Sequence, residues 1–277
     1  METVTRKNFY SFIDDIINYL SLYIDTTEIE KNFKNTKYIL TNSEKNKIRI
    51  YKGEYLDINV QKDAGITVVP VLADNSGFKL INPICYVRNM PFDPEGVKTT
   101  MFHELMHVAS HKQELLSRYK LLYKTGLYSK IYDANTENLD GPEKYEYLNE
   151  CMTELVSKII YDKLYNKNYE IVSFDGKEYK ASIYERGYFL LAFLLLNYFE
   201  KHLDVLFEIY FNNNVKLFQR VLKREFGITL DTLNKKLVEF NEKREDIYVD
   251  MEYRKIIKDL NKQNPINNKN VLYQYQL

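Results

Sequence analysis

At 277 residues the chain can bury a substantial core in one large or two modest domains. Its 39 Lys+Arg residues balance 39 Asp+Glu, which removes the electrostatic case for nucleic acid or an anionic membrane as a general partner. Two cysteines, Cys85 and Cys151, make no disulfide framework and favour a reducing compartment. Met1 to Tyr10 is too polar for the apolar core of a signal peptide, and no apolar run approaches the ~20 residues of a spanning helix. The expected location is therefore cytoplasmic, with export by a route lacking a signal peptide left open.

Residues 7–24 carry Phe9, Phe12, Ile13, Ile16, Ile17, Leu20 and Tyr23 at intervals of three and four, the pattern of an amphipathic helix. Lys31 to Asn46 is polar apart from Tyr38-Ile39-Leu40 and reads as loop with a short element. Strands are predicted at 47–51, 55–60 and 66–72, then at 78–81 and 84–87 beyond the turn Asp74-Asn75-Ser76-Gly77. Pro70 and Pro83 point to edges or bulges. Asp93-Pro94-Glu95 is a helix start: an N-cap, a proline at the first helical position and an acid in the first turn. After Gln113 the chain reads as mostly helical. Leu115 to Tyr123 continues or restarts a helix, and Gly126 to Pro142 is a long polar connection. Helices are then expected at 143–165, 182–202, 203–211, 215–225 and 229–243, and the last ~30 residues read as a charged, Asn-rich tail.

Three of the four histidines fall between positions 103 and 111, in His103-Glu104-Leu105-Met106-His107 and the nearby His111. The first two histidines form His-Glu-x-x-His, in which imidazoles one helical turn apart hold zinc and the glutamate acts on its water. On a helix His103 and His107 lie about 40° apart around the axis and roughly 6 Å along it, with Glu104 in the same wedge. Met101, Phe102, Leu105, Met106, Val108 and Ala109 make that helix apolar on most sides, so it is expected to be buried. Buried imidazoles beside a buried carboxylate need partners, which a metal ion supplies. Zinc would acidify its water toward a pKa of ~7, and Glu104 would take the proton.

A catalytic zinc takes three protein ligands and leaves a fourth position open. His111 lies about 12 Å up the axis from His103, too far to share one ion. Nor does the longer pattern His-Glu-x-x-His-x-x-Gly-x-x-His fit, because Ser110 and Gln113 stand at its last glycine and histidine. Asn149-Glu150-Cys151-Met152-Thr153-Glu154 offers a better source, since Glu150 and Glu154 are four apart and share a helix face. One carboxylate can bind the metal, while the other accepts the second N–H of a ligand histidine. Cys151 between them reads as small core filling.

With these two motifs, residues 94–160 resemble the gluzincin metallopeptidases, the thermolysin-like class, in which an Asn-Glu-x-x-(Ser/Thr)-(Asp/Glu) helix follows the His-Glu-x-x-His helix. The phrase is similar to that of small bacterial metallopeptidases with an Asn-Glu-x-x-Thr-Glu helix. The resemblance implies Zn2+ on His103, His107 and Glu150, with Glu154 behind a ligand and Glu104 as the base. It further implies an oxyanion donor from the C-terminal lobe, for which Tyr184 is the first candidate, Tyr188 the second and His202 the alternative. The gap from His107 to Glu150 is longer here than in thermolysin. The fold expected is α+β and zincin-like: a lobe at 1–112 with a small sheet and the active-site helix, then a mainly helical lobe at 113–277. That second lobe would carry the third ligand and a possible loose tail from about 244. The function expected is zinc-dependent hydrolysis of a peptide or protein substrate, with no nucleic-acid or membrane partner. An edge strand within 66–88 would pair with an extended peptide. The rival readings are a catalytically inactive peptidase-like binding protein and a regulatory protein acting through its tail.

Overall fold

The helix α1 (Lys7–Leu20) forms where the apolar spacing predicts it, and Phe9, Phe12, Ile13, Ile16 and Leu20 are its buried residues. It opens a computed structural model that describes residues 4–51, 54–59, 65–136, 139, 141–165, 191, 194–195 and 198–242. The chain mixes helices and sheets, and no described helix is long and apolar enough to cross a membrane. The predicted helix at 182–202 falls mostly outside the described residues, and the tail from 244 falls wholly outside them.

The polar stretch 31–46 is more ordered than its composition predicts. It holds the end of α2 (Thr27–Asn35) and β1 (Lys37–Thr41), because Ile29, Phe33 and Tyr38 provide enough buried anchors. Two short strands, β2 (Lys45–Tyr51) and β3 (Glu54–Asn59), pair as an antiparallel hairpin. The expected single strand at 66–72 is two, β4 (Gly65–Val68) and β5 (Val71–Asp74), followed by β6 (Gly77–Leu80) and β7 (Ile84–Arg88). β4 pairs antiparallel with β7, and β5 with β6. Pro70 and Pro83 stand in the two breaks between these ladders, where a residue without an N–H interrupts least.

β7 is the centre of the first sheet, parallel to β1 on one side and antiparallel to β4 on the other. Its period-two alternation splits two packing layers. Cys85 and Val87 join the main core, whereas Ile84 and Tyr86 form a second, smaller cluster with Ile48 and Ile58 of the β2–β3 hairpin. Against the core face lies α3 (Pro94–Ser110), which begins as predicted: Asp93 Oδ1 accepts from Gly96 N at 2.9 Å and Pro94 fills the first helical position. Phe102 of α3 is fully buried, with Phe12 of α1 at 5.6 Å and Tyr161 at 5.1 Å between ring centroids. Burial of such a ring stabilises by about 1.5–3 kcal/mol.

Beyond α3 the structure departs from the sequence-based expectation. Leu115 to Tyr123 is not helical but lies in β8 (Lys112–Ser117) and β9 (Lys120–Thr125). The polar connection contains β10 (Tyr128–Asp133), and β11 (Glu143–Lys144) completes a sheet ordered β11-β10-β9-β8. Leucines in adjacent pairs, 115–116 and 121–122, imitate helical periodicity, yet Leu115 pairs with Leu121 across a tight turn. The expected helical lobe therefore begins with a sheet. Its first helix is α4 (Glu146–Tyr165), followed by α5 (Leu203–Phe211), α6 (Val215–Val221) and α7 (Leu230–Glu242). One π-helical turn at Leu222–Phe226 continues α6 and ends at Gly227, whose φ of +66° suits glycine.

Candidate metal centre

α3 and α4 pack together in the core, and their facing sides carry the residues that the motifs single out. His103 and His107 project from one face of α3 because helical residues four apart lie one above the other. Their Nε2 atoms stand 3.2 Å apart. From α4, Glu150 Oε2 lies 3.3 Å from His107 Nε2 and 3.6 Å from His103 Nε2. Two nitrogens and one carboxylate oxygen thus form a near-equilateral triangle. A tetrahedral zinc with bonds of about 2.0–2.1 Å separates its ligand atoms by about 3.3–3.4 Å, so the donor set and its spacing fit such an ion. Among the described residues, this is the group of histidine, cysteine and acidic side chains that could hold a metal ion.

Glu154, one helical turn beyond Glu150, takes a different place. Its Oε2 lies 2.8 Å from His103 Nδ1, and its Oε1 lies 3.0 Å from Lys158 Nζ. His103 thus turns Nδ1 to the carboxylate and presents Nε2 to Glu150 and His107, the nitrogen whose lone pair is free for a metal once the ring is neutral. Lys158 was missed in the sequence, although its i,i+4 spacing from Glu154 is a legible signal.

Electrostatics follow this arrangement. Burial opposes charge on His103, but its bonds to Glu150 and Glu154 prevail and raise its pKa well above the ordinary imidazole value. Burial likewise favours the neutral form of Glu150, yet His107 and His103 hold its pKa far below the ordinary carboxylate value. For Glu154 burial is again outweighed, here by His103 and Lys158, and the pKa falls to about 2. Both carboxylates are thus ionised, as an anionic partner to a cation must be.

Glu104 is the contrasting acid. It is buried, and its Oε2 has no hydrogen-bond partner among the described residues. Burial raises its pKa, against the pull of His107 and His103. β4 passes directly over it. Thr67 Oγ1 donates to the Glu104 carbonyl at 3.1 Å, and a Cβ on Gly65 would stand 2.9 Å from Glu104 Cγ. Neither residue carries a local signal for this role, because β4 and α3 lie far apart in the chain and meet only in the tertiary packing.

Tyr184 and Tyr188 lie outside the described residues. His202 occupies the N-cap position of α5, exposed, with its ring 4.5 Å from that of Tyr198. His111 is away from the triangle as expected: it ends α3 in extended conformation, and its ring lies 5.7 Å from Tyr123. Burial, then Tyr132 and Tyr128, then the charge of Glu150 raise the Tyr123 pKa, so its hydroxyl keeps its proton. Cys151 is fully buried, and burial pushes its thiol up to about 12, which fits core filling.

No family model, curated protein or solved structure matches this chain.

Proposed function

We propose that this chain is a zinc-dependent metallopeptidase of the gluzincin kind, with a zincin-like arrangement of β4, α3 and α4. The observation that carries the reading is the triangle of His103 Nε2, His107 Nε2 and Glu150 Oε2, with distances of 3.2, 3.3 and 3.6 Å. Those three atoms would hold the ion, which when bound supplies Lewis acidity to a water molecule and to the substrate carbonyl.

Everything else is done by the chain itself. Glu154 fixes the tautomer and ring orientation of His103 from behind, with Lys158 holding the carboxylate ionised. Glu104 sits one residue from His103, with a buried Oε2 that has no partner among the described residues and is ready to accept a proton. Burial pushes its pKa above the ordinary carboxylate value, against the pull of His107 and His103, which favours its holding the proton that the departing amine then takes. β4 has a strand neighbour on one side only among the described residues, and an extended peptide added to its other edge would run past Glu104.

Glu104→Gln tests the assignment. The zinc-loaded variant is expected to keep its metal content while peptide turnover falls at least 10²-fold, the lower end of what a general base contributes. The measurement is a proteome-scale cleavage profile of both forms with metal analysis alongside. Stoichiometric zinc without any cleavage by the native chain would overturn the peptidase reading.

A further inference from the structure

The last turn of α3 ends without the usual glycine. Instead, His111 turns the chain into extended conformation, and β8 follows at once. The final carbonyls of a helix have no N–H partner within it. Here one is met by the capping residue itself and the others from distant elements. Thr125 Oγ1 of β9 donates to His107 O at 3.2 Å, and His111 N to Val108 O at 3.3 Å. Asn32 Nδ2 of α2 lies 3.3 Å from Ala109 O and 2.8 Å from His111 O. The remaining carbonyl, Ser110 O, accepts from Asn213 Nδ2 at 3.0 Å.

Asn213 comes from the link between α5 and α6, 103 positions away from Ser110. Its amide serves two masters, for Nδ2 also donates to Gly126 O at 2.9 Å in the β9–β10 turn. Its backbone is left-handed, with φ of +52°, a region asparagine tolerates better than most residues. The next residue in that turn, Leu127, donates its N–H to Asn149 Oδ1 at 2.8 Å. Asn149 is buried and immediately precedes Glu150. Gly126, also left-handed at φ +52°, lies so close to Asn149 Oδ1 and the Tyr210 ring that no side chain fits there. Tyr210 in turn donates to Thr153 Oγ1 at 2.6 Å, whose own proton goes to Asn149 O at 2.8 Å.

Building on the metal reading above, we infer that Asn213 is a positioning residue. Through Ser110 O on one side, and Gly126, Leu127 and Asn149 on the other, it sets the spacing between His107 on α3 and Glu150 on α4. Two helices separated by an inserted sheet have no covalent reason to keep ligand atoms 3.3 Å apart. A side chain that binds the end of one helix and the turn that binds the start of the other supplies that reason.

Two variants of the full chain test this. Asn213→Gly keeps the left-handed backbone and removes both N–H groups, and Asn213→Asp keeps the shape but sets an oxygen against two carbonyls. Zinc affinity is measured by chelator competition, site geometry by cobalt(II) absorption, and exchange of the Leu127 amide by NMR in the metal-free protein. The expected result is 10–100-fold weaker zinc binding, altered cobalt bands, and Leu127 exchange at least tenfold faster. Ile48→Ala, in the separate cluster under the β2–β3 hairpin, controls for general destabilisation and is expected to leave zinc affinity unchanged. Native zinc affinity and native Leu127 exchange in Asn213→Gly would overturn the inference, as would equal weakening by Ile48→Ala. A native chain that takes up neither zinc nor cobalt would instead sink the metal reading, and Leu127 exchange alone would then decide whether Asn213 holds the turn.

Discussion

Replacing Gly65 with alanine would place a methyl group between β4 and α3, directly over Glu104. The new Cβ would stand 2.7 Å from Thr100 Cγ2, 2.9 Å from Glu104 Cγ and 3.1 Å from Glu104 Oε1, whereas ordinary contact begins at 3.4 Å. Either β4 lifts or the glutamate side chain moves, by roughly half an ångström in the packing of a filled interior. Overpacking of this kind costs about 1–3 kcal/mol of stability. The effect on chemistry is expected to be larger than that on folding. A misplacement of 1 Å lowers rate on the order of 10²-fold, so Gly65→Ala should lose about tenfold or more in kcat. Zinc content should stay at the native level, because the three atoms nearest the new Cβ belong to Thr100 and Glu104 rather than to His103, His107 or Glu150. The assay is turnover of a cleaved peptide by zinc-loaded protein, with metal analysis and a thermal melt of the same samples. A folded, zinc-loaded Gly65→Ala chain with native kcat would refute the claim that β4 positions the base.

Two further outcomes follow from the same site and its flank. Glu154→Gln removes the charge that His103 Nδ1 meets at 2.8 Å, and zinc affinity by calorimetry is expected to weaken 10–100-fold; unchanged affinity would mean that another group orients the ring. His111 is buried, its Nδ1 has no partner among the described residues, and burial lowers its pKa from 6.5 to about 4. Between those values the unfolded chain binds a proton that the folded chain refuses, so stability falls as pH drops from 6.5 toward 4. The loss attributable to this residue is about 3 kcal/mol, read as the difference between native and His111→Gln urea-unfolding curves of metal-free protein across that range. Parallel curves would show that His111 does not stay neutral in the fold.

Local chemistry determined a good deal about this protein. Asp93-Pro94 starts α3, the spacing of His103 and His107 puts both on one helix face, and that of Glu150 and Glu154 does the same on α4. These are consequences of a helical period of 3.6 residues and of capping, which need only a few neighbouring residues to act. Strand positions before α3 were legible for a similar reason, since β-branched runs and turn residues alternate there. Local pattern failed where partners are distant. β8 and β9 look helical in isolation, and only pairing with each other and with β10 makes them strands.

The division of labour between the two acids of α4 was decided by how α4 lies against α3. One turn of helix separates a carboxylate facing both Nε2 atoms from one behind His103 Nδ1, and no rule of spacing says which is which. The cover over Glu104 at Gly65, and the hold of Asn213 on the end of α3, likewise join residues far apart in the chain. Sequence periodicity fixes which side chains share a face of an element. The distance between two faces is set by everything packed around them, and for this chain that means an inserted sheet, its β9–β10 turn and an asparagine from the helices that follow.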